Sequence, residues 1–171
     1  MYRALLLTLT GLTATATWPI VPPTVIHPWA PPSTPYGPGH RGIDLAAPPG
    51  TPVRAAAAGR ITFAGQVAGR GVLTITLSGT APPLPETPGT PGTPGTPLRT
   101  TYEPVRATVK EGAEVTPGEI VATTTETPSH CPEGCLHWGL RRGDVYLNPL
   151  LLLHRAARSR LLPVVGVVEP G

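Results

Sequence analysis

Proline and glycine dominate this 171-residue chain, which contains 25 prolines and 20 glycines but only one phenylalanine and three tryptophans. Proline interrupts helices and glycine favours turns, so turns and extended segments must outnumber long helices. The length by itself favours one domain with a single core of ordinary size. Composition and length together predict a mostly β protein.

The first 16 residues have the composition of a cleaved signal peptide. Arg3 precedes an apolar stretch, and Ala14 and Ala16 have the spacing that signal peptidase requires. A membrane anchor is the alternative, but the apolar run is short and interrupted, against the roughly 20 apolar residues of a membrane span. We therefore expect a secreted protein, extracellular or associated with the cell wall, with no stable membrane anchor after cleavage.

The remainder of the chain divides into three parts. Residues 17–38 are dense in proline and are predicted to form an extended arm, with one strand at TVIHPW. Residues 39–153 contain short apolar segments separated by glycine-containing turns, typical of antiparallel strands, with a T-P-G repeat inserted as a loop at about 79–97. Because proline follows Asn148, a short C-terminal helix is predicted there, and residues 154–171 form its end and a tail.

The charge of the chain is mildly basic, with a net charge of +3 and a pI near 9.2. The 13 lysine and arginine residues are scattered and form no long basic run. We therefore predict no nucleic-acid partner. The oligomeric state is left open by the sequence.

The stretch GHRGIDL contains a histidine and an aspartate four residues apart. On a strand, positions i, i+2 and i+4 share a face, so His40, Gly42 and Asp44 would point the same way. The glycine leaves a bare patch where an ion or a backbone could approach. A hydrogen-bonded His/Asp pair without a metal is the alternative interpretation.

A second stretch, CLHWG, places Cys135, His137 and Gly139 on one face of a strand and Trp138 on the other, in the core. Two imidazoles and one carboxylate are a common zinc ligand set, and three protein ligands leave one position open for water. The chain thus contains two strands that each present a polar face with a glycine gap.

The two cysteines, Cys131 and Cys135, are the only candidates for each other in a disulfide. Outside the cytosol paired thiols tend to stay oxidised, so export favours that disulfide. The alternative is a Cys135 thiolate that joins His137 as a fourth, structural metal ligand. We predict the disulfide, with the fourth metal position left to water.

Residues 39–151 resemble the lysostaphin-type zinc endopeptidases, which cut the peptide part of bacterial peptidoglycan. The matching blocks stand in the family's order, namely H-x-G-x-D, GTPV, AAAAGRITFAG, GRGVLTI, TTYEPV, EVTPGEIV and CLHWG. The resemblance implies two antiparallel sheets that form a narrow groove floored by the metal. It also implies Zn²⁺ as the cofactor, with His40, Asp44 and His137 as its ligands.

Two histidines of the family pattern are substituted in this chain. The histidine of the family's Y-x-H strand falls on Pro104, and the first histidine of its H-x-H motif falls on Cys135. The resemblance implies that those imidazoles handle the proton of the attacking water and stabilise the oxyanion. Loss of such groups costs about 10²- to 10⁴-fold in rate. Zinc binding is therefore better supported than catalysis.

Glu103 is the candidate replacement base, since it is the only carboxylate in that strand and adjoins Pro104. Strand periodicity aims it at the face opposite position 104, although the proline could turn the chain. His130, in the loop before the cysteines, could also reach the groove. His27 and His154 are interpreted as ordinary surface or packing residues.

The sequence therefore supports a secreted zinc metalloendopeptidase that acts on peptidoglycan stem peptides or cross-bridges. The alternative is a weakly active or inactive zinc-holding module of the same fold that binds the cell wall or regulates another hydrolase. The two hypotheses differ in whether the substituted imidazoles are replaced by other groups.

Overall fold

A computed structural model describes residues 16–34, 37–78, 96–126 and 131–156. The side chains of residues 154–156 are not described. This part of the chain contains eleven strands and one 3-10 helix, so the mostly β prediction is confirmed. The strands are β1 (Val25–His27), β2 (Gly42–Ala46), β3 (Pro52–Arg54), β4 (Gly59–Val67), β5 (Arg70–Leu77), β6 (Leu98–Glu103), β7 (Val105–Ala107), β8 (Glu114–Val115), β9 (Ile120–Thr124), β10 (Cys135–Arg142) and β11 (Val145–Leu147).

The strands form two antiparallel sheets, as predicted. The larger sheet has the order β1-β2-β10-β6-β5-β4-β8, and β11 also pairs with β10. The smaller sheet has the order β3-β9-β7. Strand β10 lies between β2 and β6, so His137, Trp138 and Gly139 have direct partners in both neighbouring strands. The segments GIDL and CLHWG are thereby neighbours in the larger sheet.

One face of the larger sheet forms the core together with the smaller sheet. Side chains alternate between the two faces of a strand, as in β6, where Leu98, Thr100 and Tyr102 are buried. Trp138 is fully buried, and its indole N–H donates to the Thr100 hydroxyl at 2.8 Å, so the polar end of the ring is satisfied. The largest buried apolar residues are Trp138, Tyr102, Ile43, Leu45, Ile61, Leu73, Ile75, Leu136, Leu140, Val53 and Val121.

The proline-rich segment runs along the edge of the larger sheet. Its strand, predicted at TVIHPW, is confirmed as β1, which pairs antiparallel with β2. Ile20 is buried, and the Trp18 ring meets the Trp138 ring edge-on at 6.1 Å between centroids. These contacts attach the segment to the core on both sides of its many prolines.

The helix predicted after Asn148 begins at Pro149, and it is a 3-10 helix over Pro149–Ala156. No helical segment in the described ranges has the length and apolar character needed to cross a bilayer. Nearly all of the predicted signal peptide, nearly all of the T-P-G loop and most of the C-terminal tail lie outside the described residues.

Candidate metal centre

Four chemically active side chains stand in one row across four neighbouring strands. His27 of β1 pairs with Asp44 of β2, Asp44 pairs with His137 of β10, and His137 pairs with Glu103 of β6. Directly opposed residues of antiparallel strands point to the same face of the sheet. The register of β1 is irregular between Val25 and His27, and the 3.0 Å contact of His27 Nδ1 with Asp44 Oδ2 places His27 on this face. The row therefore lies on the face away from the core.

Three of the predicted ligands meet at the centre of this row. The distances are 2.8 Å from His137 Nδ1 to Asp44 Oδ1, 3.1 Å from His40 Nε2 to the same oxygen, and 3.1 Å between the two imidazole nitrogens. Donor atoms at the corners of a tetrahedral zinc site with bonds of about 2.0–2.1 Å lie roughly 3.3 Å apart. The three atoms thus have the spacing and the chemistry of a zinc ligand set.

Asp44 is completely buried, although a buried carboxylate is costly unless it is hydrogen-bonded or paired. Its Oδ1 lies beside the ring nitrogens of His40 and His137, and its Oδ2 is 3.0 Å from His27 Nδ1. Both oxygens therefore have imidazole partners. Such a cluster of nitrogen and oxygen donors suits a divalent cation.

The hydrogen bonding of His40 orients the ring toward the centre. His40 Nδ1 is 2.8 Å from the carbonyl oxygen of Pro28, so this nitrogen carries the proton and donates it. The proton on Nδ1 leaves the lone pair of Nε2 directed at Asp44 and His137. A backbone pairing of His40 with Ala30 holds the residue just before β2 begins.

The glycine between His40 and Asp44 is required by the ring of His137. A Cβ at Gly42 would lie 2.6 Å from His137 Nε2 and 2.5 Å from the Trp138 carbonyl oxygen. Real Cβ atoms essentially never approach so closely. The bare patch predicted at Gly42 is therefore covered by the imidazole of His137. In this position the ring directs Nδ1 toward Asp44 and His40.

The predicted disulfide between Cys131 and Cys135 is present, with an S–S distance of 2.11 Å. Cys135 is therefore not a thiolate ligand in this structure, in contrast to the alternative interpretation. Gly134 between the two cysteines has φ +88°, a conformation that favours glycine. The Gly134 carbonyl accepts a hydrogen bond from Ala47 N at 3.3 Å, so the loop is also attached beyond the end of β2.

Comparison with known proteins finds a peptidase family that matches part of the sequence and solved structures of similar fold. Residues 38–81 match the model of peptidase family M23. The catalytic domain of the antimicrobial peptidase lysostaphin from Staphylococcus simulans superposes with a TM-score of 0.57 and 20% identity, over 77% of this chain and 92% of that domain. The matched segment, about a quarter of the chain, is thus similar to peptidase family M23. M23 peptidases use zinc, and the donor set of His40, Asp44 and His137 fits that metal.

Two further proteins are similar to this chain. The uncharacterized protein Rv2891 of Mycobacterium tuberculosis is 37% identical over 153 residues, which cover 86% of this chain and 54% of that protein. The chain thus spans about half the length of this relative. A chain of the SpoIIQ-SpoIIIAH pore forming complex has the same fold, with a TM-score of 0.60 and 17% identity, over 83% of this chain and 92% of that chain.

Glu103 lies on the same face of the sheet as the centre, which corrects the expectation from strand periodicity. That expectation assumed that residue 104, at the position of the family's histidine, faces the metal centre, so that Glu103 would face the other way. In the structure, Glu103 is directly opposite His137, whereas Tyr102 is opposite the buried Trp138 and faces the core. The Glu103 side chain is 29% exposed, and its carboxylate accepts a hydrogen bond from Arg70 Nη1 at 3.3 Å.

The interpretation of His27 as an ordinary surface or packing residue is incomplete, because its half-exposed side chain also contacts the buried carboxylate of Asp44 through Nδ1. No spacing rule connects positions 27 and 44, and the only signal in the sequence was a histidine on the single strand of the arm. His130 lies outside the described residues, and the side chain of His154 is not described.

Proposed function

We propose that this chain is a secreted zinc metalloendopeptidase that acts on peptidoglycan peptides. The convergence of His40 Nε2, Asp44 Oδ1 and His137 Nδ1 within 3.1 Å of one another carries the proposal. The fold, that of the peptidoglycan-acting M23 metallopeptidases, supports the substrate class. The predicted signal peptide and the disulfide support export.

The three ligands would hold one zinc ion, which supplies Lewis acidity and activates water at neutral pH. The carbonyl of Pro28 keeps the proton of His40 on Nδ1, and so keeps Nε2 available as a ligand. Gly42 leaves the room that the His137 ring occupies. The orientations of the His40 and His137 rings are therefore fixed by contacts within the protein.

Glu103 is the proton acceptor in this proposal. It stands beside His137 in the adjacent strand, on the open face of the sheet, and part of its carboxylate is accessible. A carboxylate there can take the proton of the attacking water and deliver it to the leaving amine. Arg70 holds the carboxylate in place from β5, through the contact at 3.3 Å.

A second candidate function is that of a zinc-holding module that binds the cell wall or regulates another hydrolase. The observation that favours it is the pair of substituted imidazoles, at Pro104 and at the disulfide-bonded Cys135. The same fold also occurs in the SpoIIQ-SpoIIIAH pore forming complex. On this hypothesis Glu103 has no role in proton transfer.

The deciding experiment incubates the zinc-loaded mature protein with purified peptidoglycan of several types and measures new amino termini. The proposal predicts that they appear, that His137→Ala abolishes them, and that Glu103→Gln lowers the rate by about 10²- to 10⁴-fold. If no wall type yields amino termini, the peptidase assignment is wrong. Sedimentation of the same protein with insoluble peptidoglycan would then support the binding module.

A further inference from the structure

The arm contacts the metal centre through two consecutive residues. His27 Nδ1 is 3.0 Å from Asp44 Oδ2, and the carbonyl oxygen of Pro28 is 2.8 Å from His40 Nδ1. One residue of the arm thus touches the carboxylate ligand, and the next touches an imidazole ligand. Neither contact uses the atoms that form the ligand set.

The backbone holds His27 in this position from both sides. In β1, Val25 is paired with Leu45 and His27 with Asp44. The Thr24 carbonyl accepts a hydrogen bond from Ala46 N at 2.9 Å. After β1, the chain pairs again with the segment that leads into β2, through the bridge between positions 30 and 40. The location of the imidazole is therefore determined by the sheet.

The contact with His27 assigns different roles to the two oxygens of Asp44. Oδ1 faces the ligand nitrogens of His40 and His137, whereas Oδ2 faces His27. Because Asp44 is completely buried, the hydrogen bonds of both oxygens matter for its stability and orientation. A donor on Oδ2 favours metal binding through Oδ1 alone and fixes the rotation of the carboxylate. Partners of this kind, outside the ligand set, raise metal affinity by orienting the ligands.

We propose that His27 is a positioning residue of the metal centre, and that the arm is thereby a functional part of it. The Nδ1–H group of His27 donates to Asp44 Oδ2 and holds Oδ1 toward the metal. This inference rests on the metal site in the proposed function but not on peptidase activity. It applies equally to an enzyme and to a zinc-holding module.

Direct ligation by His27 is the competing explanation, since its imidazole is also a good zinc ligand. Two substitutions separate the two roles. In His27→Asn the side-chain amide can donate from a position close to that of Nδ1, but the residue loses the imidazole. In His27→Leu both the donor and the ligand are lost. Ile26→Ala is a matched control, because Ile26 precedes His27 in β1 and is also exposed.

The experiment measures zinc dissociation constants by competition with a chromogenic chelator, and the visible spectra of the cobalt-substituted proteins. We expect His27→Leu to weaken zinc binding about 10- to 100-fold and to change the cobalt spectrum. His27→Asn and Ile26→Ala should retain the wild-type affinity and spectrum. Thermal unfolding of the metal-free proteins verifies that each variant is folded.

Three results would overturn the proposal or locate its failure. Wild-type affinity in a folded His27→Leu variant would show that His27 has no role in the centre. An equal loss in His27→Asn and His27→Leu would show that the imidazole itself is a ligand. If His137→Ala binds zinc as tightly as the wild type, the metal centre itself is wrongly assigned, and the proposed function fails for that separate reason.

Discussion

Asp44 and His137 lie directly opposite each other on β2 and β10, and 2.8 Å separates Asp44 Oδ1 from His137 Nδ1. The two residues are 93 positions apart in the chain. The pair therefore exists only when the first and the penultimate strands of the predicted domain are hydrogen-bonded in this register. Formation of the centre and formation of the larger sheet are thus one event.

We predict one zinc ion per chain, lost on replacement of any one of His40, Asp44 or His137 by alanine. Each residue supplies one of three ligand atoms, and two remaining ligands bind zinc far more weakly than three. Metal analysis after dialysis measures the content. Full occupancy in one variant would remove that residue from the ligand set.

We predict that Gly42→Ala lowers both zinc affinity and stability. The added Cβ would meet the His137 ring at 2.6 Å and the Trp138 carbonyl oxygen at 2.5 Å, and backbone cannot move aside easily. Overpacking of this kind costs about 1–3 kcal/mol. Gly65→Ala is the control, since its Cβ meets only the end of the Phe63 ring, at 3.1 Å. Chelator competition and urea unfolding provide the two measurements, and unchanged zinc affinity in Gly42→Ala would contradict the geometry.

We predict that replacing both Cys131 and Cys135 by serine lowers the free energy of unfolding by about 2 kcal/mol, the value expected for a small closed loop. Zinc binding should persist, because the ladders with β2 and β6 still hold His137. Thiol titration of the unreduced wild type should detect no free thiol. Detection of two thiols, with zinc released by Cys135→Ser, would restore the thiolate-ligand alternative.

We predict that deletion of residues 81–97 leaves zinc affinity unchanged. Strands β5 and β6 are antiparallel neighbours, so residues 78–80 can connect them as a short hairpin loop. A shorter connection costs less entropy when its ends are brought together. Because that cost grows only slowly with loop length, we expect the free energy of unfolding to rise by no more than about 1–2 kcal/mol. Thermal unfolding measures the effect. A marked loss of stability would show that the T-P-G repeat packs on the domain.

We predict that Tyr102 makes the protein sensitive to alkaline pH. Burial raises the pKa of Tyr102 to about 12, above the ordinary value of 10.0, although the hydrogen bond from Ala56 N lowers it. The pKa of Tyr102 is higher in the folded than in the unfolded protein, so the stability that its neutral buried hydroxyl contributes is fully present below pH 10. It is lost as the pH rises toward 12, at up to about 1.4 kcal/mol per pH unit.

The comparison with Tyr102→Phe isolates this effect. The variant should be less stable at pH 8 by about 1–3 kcal/mol, because the buried Ala56 N–H loses its acceptor. Urea unfolding between pH 8 and pH 11 should show the difference between the two proteins narrowing. Parallel pH dependences would show that Tyr102 does not contribute.

Local patterns determined much of the fold in advance. The alternation in CLHWG predicted a strand with Trp138 in the core, and the proline after Asn148 predicted where a helix begins. The H-x-G-x-D motif gave His40 and Asp44 as candidate ligands, and CLHWG gave His137. In each case the information lies within a few residues, because strand periodicity and helix starts depend on neighbouring backbone angles.

Only the tertiary structure decided which residues face one another across strands. The contact of His27 with Asp44 and the position of Glu103 opposite His137 both follow from register. Register depends on hydrogen bonding and packing between segments far apart in sequence, and a slip of one residue moves a side chain to the other face. The sequence by itself therefore determined the strands and the candidate ligands. The pairing of the strands decided that an arm histidine touches the centre and that a carboxylate stands beside it.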